Sequence, residues 1–154
     1  MPGRVEPADE SPCSATAMRK ATRRMTQLYD DALAPAGLRS TQYAVLEELV
    51  RQADAAPTMG ELAETLVLDR SALGHNLRPL ERDGLIALVA SDNDRRRRRV
   101  VLTTKGRTKF AQARRGWKLA QDRFNDVFGE PAAAKLRTTL LRIARDERLT
   151  TLTD

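Results

Sequence analysis

The chain has 154 residues, one cysteine and a formal net charge of +6, so it can form one domain with a real core but no internal disulfide. No apolar run is long enough to span a membrane, and the acidic, proline-containing segment 1–12 predicts a flexible tail rather than a signal peptide. These features predict a cytoplasmic protein that does not associate with membranes.

Two helices are predicted between this tail and the middle of the chain. Apolar residues at helical spacing favour a first helix over Ala15–Ala34, ended by the segment Pro35-Ala36-Gly37. Ser40 or Thr41 is a good N-cap for a second helix that runs to about Arg51.

The segment Pro57–Gly84 predicts two further helices joined by a short turn. Thr58 and Glu61 have the spacing of a capping box for the first, and Asp69 is placed to cap the second, which extends to about Arg82. The outer face of this second helix is small, polar and basic, and it comprises Arg70, Ser71, Gly74, His75 and Arg78. A recognition helix presents such a face to base edges and phosphates of DNA.

The opposite face of this helix is apolar. Leu73, Leu77 and Leu80 are separated by four and three residues, so they are expected to share one buried face. Pro79 interrupts the backbone hydrogen bonding of the helix, but the apolar spacing continues past it. We therefore expect a tolerated kink near Asn76 rather than a break.

A basic hairpin is predicted directly after these helices. Two β-branched stretches, Ile86–Ala90 and Val100–Leu102, flank Asp92-Asn93-Asp94 and five consecutive arginines. Such a tip suits insertion into a groove lined by phosphates, and the residues that we expect to contact DNA there are Asp94, Arg95, Arg96, Arg97 and Arg98. The alternative is that the arginines form a solvated charge run. Helix-turn-helix followed by a basic hairpin is the winged-helix arrangement, which assigns 37–103 to DNA binding.

The distribution of charge favours duplex DNA as the partner. Residues 69–118 contain 14 Lys or Arg and 5 Asp or Glu, whereas the rest of the chain contains 13 and 16, so positive charge is concentrated on the helix and hairpin. Only 4% of the residues are aromatic, which argues against stacking platforms for single strands or RNA.

The C-terminal part predicts two more helices. One begins at Thr103 or Thr104 and runs to about Phe128, and after Gly129 and Glu130 the last begins at Pro131 and runs to about Leu149. Their apolar faces are not needed for DNA binding, so a second copy of the chain is the expected partner. The predicted fold is thus mostly α with a small β-hairpin wing, a winged helix-turn-helix with dimerisation helices at 13–36 and 104–149.

The order and spacing of several motifs resemble the MarR family of bacterial transcriptional regulators over roughly 15–149. The resemblance is carried by the segments Leu38–Tyr43, Gly60–Ala63 and Leu68–Ser71, and by Asp94-x-Arg96 followed by Leu102-Thr103-x-x-Gly106. It implies a homodimer that binds a pseudo-palindromic operator, usually a repressor released by a small molecule or an oxidant. It also implies that Arg96 enters the minor groove and is held by Asp94, and that Thr103 and Gly106 provide a cap and tight packing for the long helix.

The signal that releases the regulator is open at this point. Arg23, Tyr29 and Tyr43 are candidate ligand residues for an aromatic acid or phenol, because arginine pairs with anions and a tyrosine ring packs on apolar groups. The alternative is that both tyrosines are core residues and Arg23 is solvated. Cys13 is similar to the reactive cysteine of a peroxide-sensing branch, although that cysteine aligns with Ala15, and a helix N-terminus lowers a thiol pKa. The alternatives are a cysteine with no sensing role and a cysteine that lines a ligand pocket.

Other classes of function are disfavoured. His75 is the only histidine, which gives no basis for a metal site, and no nucleophile motif or phosphate-binding glycine loop indicates an enzyme or a cofactor. The sequence therefore predicts a dimeric transcriptional regulator, most simply a ligand-released repressor. The alternatives are a cysteine-based organic peroxide sensor of the same fold, or a constitutive winged-helix interaction module.

Overall fold

The structure, a computed structural model, describes residues 12–52, 55–91, 94 and 96–152. It confirms a mostly helical chain with a small antiparallel hairpin. The elements in chain order are α1 (Ser14–Leu33), α2 (Ser40–Gln52), α3 (Met59–Thr65), α4 (Arg70–Arg82), β1 (Ile86–Ala90), β2 (Arg98–Leu102), α5 (Thr104–Phe128) and α6 (Glu130–Arg145). Short 3₁₀ helices follow α1 at Ala34–Ala36 and α6 at Glu147–Leu149.

The helix-turn-helix begins at the caps that the sequence predicts. Thr58 Oγ1 accepts a hydrogen bond from the Glu61 N–H, and the Glu61 carboxylate accepts one from the Thr58 N–H, so the capping box is confirmed. Asp69 Oδ1 accepts a hydrogen bond from the Ala72 N–H at 2.7 Å and caps α4. Between the two helices the chain turns through Val67, whose φ of +54° is rare for a β-branched residue.

The hairpin extends further into the arginine run than the sequence indicated. Leu88 pairs with Val100 and Ala90 pairs with Arg98, so β2 begins two residues before the predicted strand. The antiparallel ladder with β1 is the reason, since it continues to pair the chain after the β-branched residues end. Arg98 and Arg99 therefore belong to a strand rather than to the tip of the wing.

One core of leucines underlies α2, α3, α4 and the hairpin. Leu73, Leu77 and Leu80 are each no more than 1% exposed, which confirms the predicted inner face of α4. They join a cluster that includes Leu33, Leu38, Tyr43, Val45, Leu46, Leu49, Leu62, Leu85, Ile86 and Val100. Helix α4 continues through Pro79, whose carbonyl accepts the Asp83 N–H, so the proline is tolerated as expected.

Two glycines allow α5 to pack closely on its neighbours. A Cβ at Gly106 would overlap the carbonyl oxygen of Leu85, and a Cβ at Gly116 would overlap the carbonyl oxygen of Ala32. The cap from Thr103, whose Oγ1 accepts the Gly106 N–H at 3.0 Å, and the tight packing at Gly106 are confirmed. Helix α5 is therefore held against the base of the wing at its start and against the end of α1 at its middle.

The far end of α5 and the whole of α6 leave large apolar side chains exposed. Leu119, Phe128 and Leu140 are 64%, 58% and 43% exposed. Others with exposed side chains are Val127, Leu136, Leu141, Ile143 and Leu149. Despite this apolar surface, none of the helices in the described ranges has the length and hydrophobicity needed to cross a membrane.

Helix α6 ends four residues before its predicted end. After Arg145 the chain leaves the helix, and Asp146 Oδ1 accepts a hydrogen bond from the Arg148 N–H at 3.1 Å. Asp146 thereby caps the short 3₁₀ helix Glu147–Leu149. A local capping interaction thus replaces the last turn that apolar spacing alone predicted.

Candidate nucleic-acid interface

The outer face of α4 is available to a partner along its length. Arg70, Ser71, His75 and Arg78 are all exposed, on the side opposite the buried leucines. Gly74 lies between them, and a Cβ at this position would have no atom within 4 Å. The backbone of α4 is therefore open to close approach at the centre of this face, as in a helix that enters a DNA groove.

The base of the wing is tied to the end of α4 by hydrogen bonds. Thr103 Oγ1 donates to the carbonyl oxygen of Gly84 at 2.7 Å, and Lys105 Nζ donates to that of Asp83 at 2.7 Å. Gly84 has a φ of +70°, which suits the glycine that the sequence places after the helix. These bonds therefore join the loop between α4 and β1 to the segment where β2 ends and α5 begins.

Asp94 organises the turn of the wing through the backbone. Its Oδ1 accepts the Arg96 N–H at 2.9 Å, and its carbonyl accepts the Arg97 N–H at 2.9 Å. Its other carboxylate oxygen lies 3.8 Å from Arg97 Nε, an exposed ion pair that contributes little by itself. Asp94 thus fixes the backbone of the chain at Arg96, and the side chain of Arg96 is exposed to solvent.

Some of the predicted wing residues lie outside the described part of the chain. These are Asp92, Asn93 and Arg95. Arg97 and Arg98 are exposed, so the described basic residues of the wing before Arg99 all present their side chains to solvent.

Tyr29 and Tyr43 lie near each other, where α1, α2 and α5 pack together. Tyr43 is 4% exposed and stacks on Phe110 and Trp117, with ring centroids 5.0 and 6.3 Å apart. Burial raises the pKa of Tyr43 to about 12. The Tyr29 hydroxyl donates to Gln121 Oε1 at 2.8 Å, and partial burial raises its pKa as well. Both tyrosines therefore pack as part of the interior or its edge.

Glu47 is a neighbour of both tyrosines that sequence reasoning missed. Partial burial raises the pKa of the Glu47 carboxyl, while the nearby Arg51 and Arg114 lower it. The carboxyl in turn raises the pKa of Tyr43 and of Tyr29. Its position four residues after Tyr43, on the same helix face, is the signal that could have identified it.

Arg23 is not brought together with the two tyrosines. It is exposed on the outer face of α1, in a shallow concavity with Lys20, Thr22, Arg24, Thr26 and Gln27. Tyr29 is six residues further along α1 and faces α5 instead. An acidic ligand that contacts both tyrosines would therefore need a basic group other than Arg23 to bind its negative charge.

Cys13 is exposed at the start of α1. Hydrogen bonds from the side chain and backbone of Thr16, and from the backbone of Ala15, lower the pKa of its thiol. Tyr29 follows 16 residues later on the same helix, roughly 24 Å away along the axis. Within the described ranges, no group of three or more His, Cys, Asp or Glu side chains is arranged to hold a metal ion.

Comparisons with known proteins agree with this geometry. A family model described as MarR family matches residues 36–97. Over 95 residues the chain is 36% identical to the transcriptional activatory protein BadR of Rhodopseudomonas palustris, a match that covers 61% of this chain and about half (51%) of BadR.

Solved structures match over more of the chain. The M. tuberculosis transcriptional regulator MOSR in complex with DNA is 32% identical, with a TM-score of 0.76 over 86% of this chain and 94% of that one. The transcriptional repressor CouR bound to a 23-mer DNA duplex is 28% identical, with a TM-score of 0.79 over 93% and 100%. CouR bound to p-coumaroyl-CoA is 26% identical, with a TM-score of 0.76 over 93% and 99%. The winged helix, its arginine-rich hairpin and these matches together show that the chain belongs to the MarR family of transcriptional regulators.

Proposed function

We propose that the chain is a homodimeric, sequence-specific DNA-binding regulator in which α4 enters the major groove and the wing enters the adjacent minor groove. The observation that carries the proposal is the pairing of an exposed polar face on α4 with a buried leucine face, next to a wing whose turn is fixed by Asp94. The residues assigned to DNA contact are Arg70, Ser71, Gly74, His75, Arg78, Asp94, Arg95, Arg96, Arg97 and Arg98. Similarity to MOSR and CouR, both solved with DNA, supports this assignment.

Binding to duplex DNA tests this proposal directly. Fluorescence anisotropy would compare the intergenic DNA upstream of the chain's own gene with a scrambled duplex of the same composition. We expect tighter binding to the intergenic DNA and a log–log dependence on salt with a slope of several units, because phosphate contacts release counterions. Equal and weak binding to both duplexes at physiological salt would instead favour the interaction-module alternative.

The proposed dimer uses the helical regions 13–36 and 104–149. The supporting observation is the set of exposed large apolar side chains on α5 and α6, which a partner would cover. A two-fold dimer would cover this surface with its own equivalent and would place two recognition helices on two half-sites, so the operator would be pseudo-palindromic. Sedimentation equilibrium at micromolar concentration should give twice the chain mass, and a folded monomer would rule out this arrangement.

The proposed effector is an aromatic acid or phenol, free or as its CoA thioester, bound where Tyr29 and Tyr43 meet. The two tyrosines would supply aromatic rings, with Glu47 as an acceptor and Arg114 as a cation beside them, once the packing over the buried Tyr43 opens. CouR, a similar protein, was solved with p-coumaroyl-CoA. Release from DNA requires that the ligand bind the non-DNA-binding geometry of the dimer more tightly than the DNA-binding one.

The effector proposal is tested with p-coumaroyl-CoA, p-coumarate and CoA alone as the control. We expect an aromatic compound, but not CoA, to raise the melting temperature and to lower operator affinity. A Tyr29→Phe variant, which removes only the hydroxyl that bonds Gln121, should weaken this response. If none of these compounds changes either quantity, an aromatic effector of this kind is excluded.

A cysteine-based response is the second candidate, and the lowered pKa of the exposed Cys13 thiol favours it. Release of operator DNA by an organic hydroperoxide, lost in Cys13→Ser, would support this candidate over the aromatic effector.

A promoter–reporter strain would decide whether the regulator represses, as we propose, or activates, as the name of BadR states for that protein. The proposal places the protein in the cytoplasm with the chromosome and assigns it no catalytic activity.

A further inference from the structure

Arg99 differs from the other described arginines of the wing. Arg96, Arg97 and Arg98 are exposed, whereas Arg99 is partly buried and alternates with Arg98 across β2. Side chains that alternate along a strand point to opposite faces of the sheet. By this alternation Arg98 shares a face with the buried Val100, and Arg99 lies on the opposite face, where its guanidinium reaches the segment before α3.

The side chain of Arg99 contacts the segment before α3. Its Nη1 donates to the carbonyl oxygen of Ala56 at 2.6 Å, across 43 residues of sequence. Arg99 also forms an isolated antiparallel bridge with Thr58, and the Val100 N–H donates to the Pro57 carbonyl at 2.8 Å. The segment Ala56–Thr58 thus runs along the edge of β2, held by backbone bonds and by one charge-assisted side-chain bond.

This contact lies where three parts of the DNA-binding region meet. Thr58 is the N-cap of α3, and the hydrogen bonds from Thr58 to Glu61, with a further contribution from Arg99 and Arg97, lower the pKa of the Glu61 carboxyl. A Cβ at Gly60 would lie 3.8 Å from Nη2 of Arg70, the first residue of α4. Arg99 in β2 therefore lies close to the start of α3, which in turn lies close to the start of α4.

We propose that Arg99 is a positioning residue, which sets the wing relative to α3 and α4 by its bond to Ala56, and that it does not contact DNA phosphate. This inference rests on the proposed function, since it concerns how the wing and α4 bind one operator together. It separates Arg99 from Arg98, which we assign to phosphate contact. Without the bond, the free protein would not hold the wing and α4 in one fixed orientation. Aligning them would then cost free energy during binding, and this cost weakens specific binding more than non-specific binding.

The test compares Arg99→Met with Arg98→Met, a matched loss of one charge on the next residue. Affinity for the operator and for a scrambled duplex would be measured by anisotropy from low to high salt. We expect Arg98→Met to weaken binding to both duplexes and to reduce the salt slope by about 1 per subunit. We expect Arg99→Met to weaken operator binding about tenfold, with an unchanged salt slope and a smaller loss on the scrambled duplex.

A salt slope that falls in Arg99→Met as it does in Arg98→Met would overturn the inference, and so would operator binding at the wild-type level. Failure of the wild type to prefer the operator would contradict the proposed function instead, so the two failures are distinguishable. If Arg99→Met does not fold, an arginine-selective dicarbonyl reagent applied to the wild type decides the question. Arg99 should react slowly with or without DNA, whereas Arg98 should react in the free protein and be protected in the complex. Strong protection of Arg99 by DNA would overturn the inference.

Discussion

The winged-helix region 37–103 and the helices α1, α5 and α6 bury their apolar side chains in different ways. In the first, Leu46, Leu62 and Leu73 are fully buried within one chain. In the second, Phe128 and Leu140 are about half exposed, although the spacing of apolar residues is just as regular. An amphipathic pattern predicts that a face will be covered, but not whether the same chain covers it. We infer that the first region completes its core within the chain, with the help of Leu33 of α1 and of Phe110 and Trp117 of α5, and that α6 and the far end of α5 are covered by another copy.

Overpacking of the contact between α1 and α5 should have the largest effect. Gly116→Ala forces a Cβ against the carbonyl of Ala32, so we expect it to lower the free energy of unfolding by about 3 kcal/mol. Gly74→Ala is the control, because its Cβ meets no atom within 4 Å and the change should stabilise α4 by about 0.5–1 kcal/mol. Urea denaturation measures the free energy of unfolding of both variants. Equal values for Gly116→Ala and Gly74→Ala would mean that α1 and α5 are not in close contact.

A charge on the exposed apolar surface should separate the two kinds of burial. Leu140→Glu is expected to weaken dimerisation by about 2–3 kcal/mol and to abolish the dependence of the melting temperature on protein concentration. Leu73→Ala should cost about 3 kcal/mol of stability while that concentration dependence persists. Thermal unfolding over a hundredfold range of concentration distinguishes them. A wild-type melting temperature that does not change over this range would contradict the comparison.

Within the winged-helix region, the wing should contribute to DNA binding but little to stability. Arg96→Ala is expected to weaken operator binding by about 1–3 kcal/mol without a change in melting temperature. Asp94→Ala should weaken it less, because it releases the Arg96 backbone N–H but leaves the guanidinium present. Arg24→Ala on α1 removes the same charge from another exposed position and provides the control. Equal affinities of Arg96→Ala and Arg24→Ala for the operator would remove the wing from the interface.

The smallest effect is expected at Glu47, where the two regions meet. Its folded-state pKa lies above the ordinary value of 4.5, so its contribution to stability is full below pH 4.5 and is lost as the pH rises through the folded-state pKa. Glu47→Gln should therefore be more stable than the wild type at pH 7, by less than about 1 kcal/mol because water screens the partly exposed carboxyl. This advantage should disappear near pH 4. Denaturation at both pH values measures it, and a variant less stable at pH 7 would mean that Arg51 and Arg114 outweigh burial.

Local patterns were sufficient to predict most of the winged helix. The caps at Thr58 and Asp69 and the inner face of α4 depend on residues within one or two turns of each other, and all are confirmed. The start of β2 was wrong by two residues, because the pairing of Arg98 with Ala90 depends on the opposite strand rather than on strand propensity. The predicted end of α6 was wrong for a related reason, since Asp146 caps the short 3₁₀ helix Glu147–Leu149 instead of continuing α6.

Contacts between distant segments could not be predicted from spacing. Nothing near Gly116 in the sequence indicates the carbonyl of Ala32, and nothing near Arg99 indicates that of Ala56. The candidate effector residues show the same limit. Tyr29 and Tyr43 do approach each other, but Arg23 points away, and Glu47 takes a place beside the tyrosines that was not predicted. Helix packing decides these neighbours.

The mass of the complex with operator DNA tests most directly whether the two regions depend on each other as we infer. Sedimentation velocity of the protein with a short duplex that carries one operator should show two chains per duplex at saturation, and Leu140→Glu should bind at least tenfold more weakly because it cannot supply a preformed dimer. A saturated complex with one chain per duplex, or wild-type affinity in a Leu140→Glu variant shown to be monomeric, would contradict the account.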